Sequence, residues 1–297
     1  MWVQKVPGGG VADLAYSPGG ETLYTLDNGG WLTAWDLISR GNRRLAHVEF
    51  PTGCPLQIAA MADGRTVATR GAVITFWDAR TGRELGRLAL PWQNHAQVRP
   101  DGRVYYREFG SREIVSWNFQ TGKLLTSFDF PEWLSQVVHT FEISPDGRLV
   151  CLVIYQGAHP VLYQVGNGTE LCNSVNINSS ARTYQATFSP DSRLVAVFSK
   201  QPDRISLWDV RTRTMRVIGI LCDQSHGVFA WNPTAPVFAA LNPDHVLTLF
   251  SVATGERLRS LDFDLGPSVL SVAFSPDGLT CAVGGSDNQF AVFDVDL

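Results

Sequence analysis

Residues 75–85 read TFWDARTGREL. Apolar residues alternate up to the Trp77-Asp78 pair, and a Thr-Gly-Arg turn then leads into a second apolar segment. Alternation followed by a glycine-containing turn is typical of two antiparallel strands joined as a hairpin. The same arrangement recurs, so the stretch is one copy of a repeat. The other six copies are LTAWDLISRG (32–41), IVSWNFQTGKLL (114–125), VLYQVGNGTEL (161–171), ISLWDVRTRTM (205–215), LTLFSVATGERL (247–258) and FAVFDVD (290–296).

A second motif, of the type SPDG, precedes each copy and provides a marker for the period. The marker residues are Pro18, Ala62 in place of proline, Pro100, Pro145, Pro190, Pro233 and Pro276, which gives spacings of 44, 38, 45, 45, 43 and 43 residues. A period of about 40–45 residues with many short strands is typical of a β-propeller. Seven copies use the whole chain, so we predict one all-β domain over residues 1–297, a propeller of seven four-stranded antiparallel blades.

Each repeat predicts four strands with different environments. The strand that enters the SPDG turn carries small residues and is placed innermost, and the next strand is almost continuously apolar, as expected when both faces are covered. The third strand ends at the Trp-Asp position, and the fourth is polar and outermost. The chain ends after a third strand, whereas residues 2–6 form a short alternating segment without a blade. We therefore predict that residues 2–6 pair as the fourth strand of the last blade and close the ring.

These motifs resemble those of the WD-repeat family of seven-bladed propellers over the entire chain. The Trp-Asp pair is present at Trp35, Trp77 and Trp208 and degraded in the other four repeats. The glycine-histidine pair of the family is absent, and the aspartate six residues before the tryptophan position occurs only at Asp244 and Asp287. The resemblance therefore implies a degenerate propeller of bacterial type, in which the Asp-His-Ser/Thr-Trp hydrogen-bond network of the family cannot be assembled as usual.

Composition excludes several classes of partner. The net charge is −4, without long runs of one sign, which argues against a nucleic-acid or anionic-membrane binder. No segment has the length and apolarity of a membrane span or a signal peptide, so we predict a cytoplasmic monomer.

The sequence does not contain a motif that would carry catalysis. G-x-S-x-G, H-E-x-x-H and G-x-x-x-x-G-K are absent, and we predict neither enzyme activity nor a cofactor nor a bound metal. The six histidines fall in different repeats and could converge at one end of the ring, although loop histidines with ordinary hydrogen bonds are commoner. Glu142 is the one carboxylate that we place on an innermost strand, beside Gln97 and Thr187, and it is interpreted as lining the channel.

The remaining candidate is a binding surface on one face of the ring. In propellers of this type the loops between fourth and first strands, and between second and third, share one face around the channel mouth. Aromatic and basic residues, which often dominate binding interfaces, concentrate in these loops in repeats three to five. The predicted partner-binding residues are Trp92, Arg107, Phe109, Arg112, Trp133, Tyr155, His159, Tyr184, Lys200 and Arg204. For Trp92 and Trp133 the alternative is a buried plug beneath its own loop.

Three functional classes follow from this surface. The first is a non-catalytic scaffold that holds a protein or peptide on the loop face. The alternative is a metal-dependent propeller hydrolase or isomerase with its site at the channel mouth. A third is a purely structural module, similar to propellers that are fused to bacterial kinases or proteases.

Overall fold

The computed structural model describes residues 1–51, 56–90, 95–108, 110–135, 138–154, 161–165, 170–173, 182–200, 204–220, 228–241, 246–262 and 269–295. In these ranges the chain forms 28 strands in seven four-stranded antiparallel sheets, the blades of a propeller. The predicted fold is confirmed. Among the described residues, no helix combines the length and apolarity needed to cross a membrane.

Blades 1 to 4 follow one another along the chain, with their strands in sequence order across each sheet. Blade 1 contains β2 (Val11–Tyr16), β3 (Thr22–Asp27), β4 (Trp31–Asp36) and β5 (Asn42–His47), and β1 (Trp2–Lys5) precedes it. Blade 2 contains β6 (Gln57–Ala60), β7 (Thr66–Arg70), β8 (Ile74–Asp78) and β9 (Glu84–Leu88). Blade 3 contains β10 (His95–Val98), β11 (Arg103–Arg107), β12 (Glu113–Asn118) and β13 (Lys123–Asp129). Blade 4 contains β14 (Val138–Ile143), β15 (Leu149–Ile154), β16 (Val161–Gln164) and β17 (Glu170–Asn173).

Blades 5 and 6 repeat this order, whereas blade 7 takes its outer strand from the other end of the chain. Blade 5 contains β18 (Arg182–Phe188), β19 (Leu194–Lys200), β20 (Arg204–Asp209) and β21 (Thr214–Ile220). Blade 6 contains β22 (Phe229–Trp231), β23 (Val237–Leu241), β24 (Leu247–Ser251) and β25 (Arg257–Leu261). Blade 7 contains β26 (Val269–Phe274), β27 (Thr280–Gly285), β28 (Gln289–Asp294) and β1. First strands of neighbouring blades contact one another, as β2 does with β26 and β6, and those of blades 1 to 5 line a central cavity.

The hydrophobic core consists of seven clusters, one between each pair of adjacent blades. Strand β15 shows why the second strands are continuously apolar. Val150, Leu152 and Ile154 belong to the cluster between blades 3 and 4, whereas Cys151 and Val153 belong to the cluster between blades 4 and 5. Both faces of such a strand lose contact with water, so neither face can be polar without a partner.

The Trp-Asp pair stabilises the turn that follows it. The Asp36 carboxylate accepts hydrogen bonds from the backbone N–H groups of Ile38 and Ser39 at 2.9 and 2.7 Å. Trp35 donates its indole N–H to Thr25 at 2.8 Å, and Trp77 donates to Thr69 at the same distance. The hydrogen bond between hydroxyl and indole that belongs to the family network is therefore present in blades 1 and 2. For this part of the network, the prediction that it could not be assembled as usual is wrong.

The ring is closed as predicted. Strand β1 pairs with β28 in antiparallel register, with Trp2 opposite Val292 and Lys5 opposite Gln289. The Trp2 ring contacts the Phe290 ring edge-on, with 5.3 Å between centroids. The amino-terminal strand thus covers the edge of β28 that would otherwise be unpaired.

Candidate functional site at the central channel

Only some of the predicted partner-binding residues on the loop face belong to the described part of the chain. Trp92, Phe109, Tyr155 and His159 lie outside the described residues. Tyr184, Lys200 and Arg204 lie on β18, β19 and β20, and Trp133 in the short 3₁₀-helix Glu132–Leu134, but their side chains are not among the described parts.

Arg107 was predicted to be exposed on this face, and that prediction is wrong. Its side chain is 1% exposed at the end of β11. The guanidinium donates to the carbonyl oxygens of Ser111 at 2.7 Å, Ser135 at 2.5 Å and Val138 at 3.2 Å. These acceptors come from the turn after β11 and from the segment leading into β14. Arg107 therefore joins blade 3 to blade 4, and burial lowers the pKa of its guanidinium.

Arg112 lies five residues further on and has the opposite environment. Its side chain is 55% exposed, and its guanidinium approaches Asp129 at 3.5 Å. An ion pair this exposed contributes little to stability, because water screens both charges. Of the predicted set, Arg112 is the residue whose described side chain is available to a partner.

A cavity of about 270 Å³ occupies the channel at the first strands of blades 1 to 5. Apart from Arg70 of β7, its polar lining comes from two positions of the repeat, five and three residues before the turn marker. The polar residues at these positions are Asp13, Gln57, Gln97, Thr140, Glu142 and Gln185. The first strands begin at the face of the predicted loops, so the residues five positions before the marker lie nearer that face.

Asp13 is a second carboxylate on an innermost strand, and sequence reasoning missed it. Its two carboxylate oxygens accept hydrogen bonds from the backbone N–H of Leu14 at 2.9 Å and of Ile58 at 2.8 Å. The second bond crosses from blade 1 to blade 2. Burial raises the pKa of Asp13 to about 6, against the lowering effect of these two bonds. The repeat alignment contained the signal, because Asp13 stands five residues before the marker Pro18, on a strand that the alignment places innermost.

Glu142 faces the channel as predicted, and burial raises its pKa to about 8 despite the nearby Arg99 guanidinium and a hydrogen bond with Gln97. At neutral pH the carboxyl is therefore mostly protonated. The Gln97 side-chain oxygen accepts a hydrogen bond from the Ile143 N–H at 2.8 Å, and Arg99 donates to the Ile143 carbonyl at 3.1 Å. The polar groups around Glu142 thus connect blade 3 to blade 4.

Two of the six histidines meet beside the channel. The rings of His95 and His139 lie 5.7 Å apart between centroids. Burial lowers the pKa of His95 to about 4, helped by His139, Arg70 and Arg107. His47 hydrogen-bonds the Gly29 carbonyl elsewhere, and His159, His226 and His245 lie outside the described residues. No group of three or more His, Cys, Asp or Glu residues in the described part of the chain has metal-site geometry.

The raised pKa of Glu142 makes stability depend on pH. The folded protein holds this proton up to about pH 8, whereas the unfolded chain releases it near pH 4.5. The free energy of unfolding therefore falls as pH rises through this window. Above pH 6.5 the remaining opposite effect of His95 and the remaining similar effect of Asp13 are each below about 0.5 kcal/mol and partly cancel. From there to pH 8, we expect a loss of up to about 2 kcal/mol.

Urea unfolding of Glu142→Gln measures this contribution. The variant is expected to have a nearly constant unfolding free energy from pH 6.5 to 8, whereas Asp13→Asn should keep the wild-type decline in that range. A decline of equal size in Glu142→Gln and wild type would show that Glu142 ionises normally in the fold.

Two comparisons with known proteins agree with this architecture. The family model "WD domain, G-beta repeat" matches residues 255–294. The match runs from the outer strand region of blade 6 to the third strand of blade 7, so it covers one sequence repeat. The chain is a seven-bladed β-propeller with one recognisable WD40 repeat. The other repeats place the same turns on the same strands, and three of them carry an intact Trp-Asp pair, at Trp35, Trp77 and Trp208.

The propeller also resembles a solved chain of hydrazine synthase from Kuenenia stuttgartiensis. The TM-score is 0.72 at 16% sequence identity, and the alignment covers 98% of this chain and 97% of that chain. At this identity the likeness shows a shared fold and gives no information on activity.

Proposed function

We propose that this WD40 propeller is a non-catalytic, cytoplasmic, monomeric scaffold that binds a protein or peptide on the loop face around the channel mouth. WD40 propellers commonly act as binding scaffolds, and a rigid ring with variable loops suits that role.

One observation supports the scaffold more than any other. The polar side chains that line the channel use their acceptors on the backbone of the next blade: Asp13 binds the Ile58 N–H and Gln97 binds the Ile143 N–H. A catalytic base must reach a substrate proton with a free oxygen of suitable pKa. Each oxygen of Asp13 already accepts a backbone hydrogen bond, one of them from blade 2, so this carboxylate holds adjacent blades together.

The double variant Arg112→Ala/Trp133→Ala tests the loop face. Wild-type protein is immobilised on a resin and incubated with an extract of the native host. It is expected to retain one or more proteins that the immobilised double variant does not retain. Arg148→Ala is the control, because this exposed arginine lies in the turn between β14 and β15 on the opposite face. Equal retention by the double variant and wild type, with equal melting temperatures, would contradict the proposal.

The metal-dependent alternative rests on His95 and His139, whose rings are in contact. A catalytic zinc site uses three protein ligands, so this pair would need a further ligand. Elemental analysis of the purified protein separates the two functions. Stoichiometric zinc or calcium that is lost in His95→Ala would favour the enzyme over the scaffold.

A further inference from the structure

A second concave surface lies at the place where the ring closes, on the face opposite the predicted loops. It has a volume of about 360 Å³ and is lined by the turns of blade 1, the first turn of blade 7, the end of β28 and the start of β1. We call it the seam groove. Its floor includes Trp2, Leu37, Val292 and Phe293. The groove therefore spans blade 1, blade 7 and the closing strand.

The most exposed large apolar side chains of the described residues gather at this groove. Met1 and Ile38 line it and are each 80% exposed. Leu279, between the lining residues Asp277 and Thr280, is 65% exposed. Adjacent exposed apolar side chains around a concavity are typical of an interaction site, whereas scattered ones are ordinary.

The charged side chains of the seam groove are mainly acidic. Glu21, Asp277 and Asp294 line it, against two positive groups, the Arg40 guanidinium and the amino-terminal ammonium of Met1. None of the three carboxylates belongs to an ion pair within the described ranges. Hydrogen bonds from Ser275 and the Leu279 N–H lower the pKa of Asp277, so its carboxylate stays charged at neutral pH. The groove thus favours a cationic occupant.

Arg40 forms no ion pair with these carboxylates in the described ranges, and its guanidinium lies over the Trp2 ring, 4.4 Å from the centroid. Its backbone has φ +62°, at the turn position where blades 2, 3 and 6 have Gly82, Gly122 and Gly255. A non-glycine residue in this conformation is strained by about 1–2 kcal/mol. Arg40 is thus held in a strained turn with its cation on Trp2.

We propose that the seam groove binds a short basic and apolar segment of a partner protein. Apolar side chains of the segment would cover Ile38 and the floor at Leu37 and Val292, and its lysine or arginine side chains would pair with Glu21, Asp277 and Asp294. The volume is at the lower end of the roughly 300–1,000 Å³ of ligand pockets, which fits a few residues of extended chain. This surface is separate from the loop face, so the two proposals stand independently.

The test uses two labelled, end-blocked peptides, Leu-Lys-Leu-Lys-Leu and Leu-Glu-Leu-Glu-Leu, titrated with the intact chain in a fluorescence anisotropy assay. The lysine peptide is expected to bind, more weakly as salt rises, and the glutamate peptide is not. Ile38→Asn, which removes the apolar contact without adding charge, and the double variant Glu21→Lys/Asp294→Lys should each weaken binding of the lysine peptide. Because each exposed ion pair contributes at most about 1 kcal/mol, loss of two pairs in the double variant should weaken peptide binding about five- to tenfold.

The variants also define the results that would overturn the proposal. The double variant should acquire affinity for the glutamate peptide, and Leu124→Asn on β13, where Leu124 is 63% exposed, should bind the lysine peptide like wild type. All variants change exposed side chains, so unchanged melting temperatures are expected and are measured alongside. Equal binding of both peptides, or wild-type binding by Ile38→Asn, would refute the site. Concentration-dependent dimerisation in sedimentation that Ile38→Asn abolishes would show that the groove binds a second copy of this chain and would overturn the basic partner.

Discussion

Removal of residues 1–6 is expected to lower the melting temperature by about 6–12 °C, since the truncated chain loses at least about 3 kcal/mol of stability. Four residue pairs between β1 and β28 disappear, and so does the contact of Trp2 with Phe290. Val6, which is 2% exposed in the cluster between blades 7 and 1, is lost as well. Differential scanning calorimetry measures the shift, and light scattering should show association through the unpaired edge of β28.

Two single variants separate the contributions to closure. Trp2→Ala should reproduce part of the loss, because it removes the ring contact but keeps the backbone pairing. Lys5→Ala should change little, because the Lys5 side chain is exposed. If the truncated chain melts within about 1 °C of the intact one, β1 does not close the ring.

Arg107→Ala is expected to destabilise the fold by about 3–5 kcal/mol, because it leaves three backbone carbonyls in a buried environment without their donor. The carbonyls are those of Ser111, Ser135 and Val138. Arg107→Lys should recover only part of this loss, since an ammonium group does not reproduce the planar donor geometry of a guanidinium. Urea denaturation of each variant gives the free energies.

Arg112→Ala is the matched control, with the same substitution five residues away. Its exposed ion pair with Asp129 predicts a change within about 0.5 kcal/mol. A loss of similar size in both variants would contradict the distinction between a buried bridging arginine and an exposed one. The pair thus separates a stability effect from an effect on partner binding.

The fold could be predicted because the same physical requirements recur in each repeat. Turns with proline, aspartate and glycine fix where the chain reverses. Strands such as β15 are continuously apolar because neighbouring blades cover both of their faces. The unpaired ends of the chain predicted the closure by β1. Each of these signals is local in sequence or repeats at a constant period.

The site was harder to predict because exposure at a loop depends on contacts between blades. Arg107 and Arg112 are alike in sequence context, yet only Arg107 has carbonyls from the segment before β14 within reach. Asp13 bonds the backbone of a residue 45 positions away. The alternation of apolar and polar residues predicts which face of a strand is buried. The contacts of Arg107 and Asp13 depend instead on how adjacent blades pack. Glu142 was predicted at the channel because its repeat position alone placed it there.

Hydrogen exchange of the intact chain tests the central claim, that one ring of seven blades is closed by its amino-terminal strand. Peptides covering residues 2–6 and 289–294 are followed by mass spectrometry. The paired register from Trp2–Val292 to Lys5–Gln289 predicts that amides of β1 are protected together with those of β28. Exchange of residues 2–6 at the rate of an unstructured peptide, while the rest of blade 7 stays protected, would contradict the account.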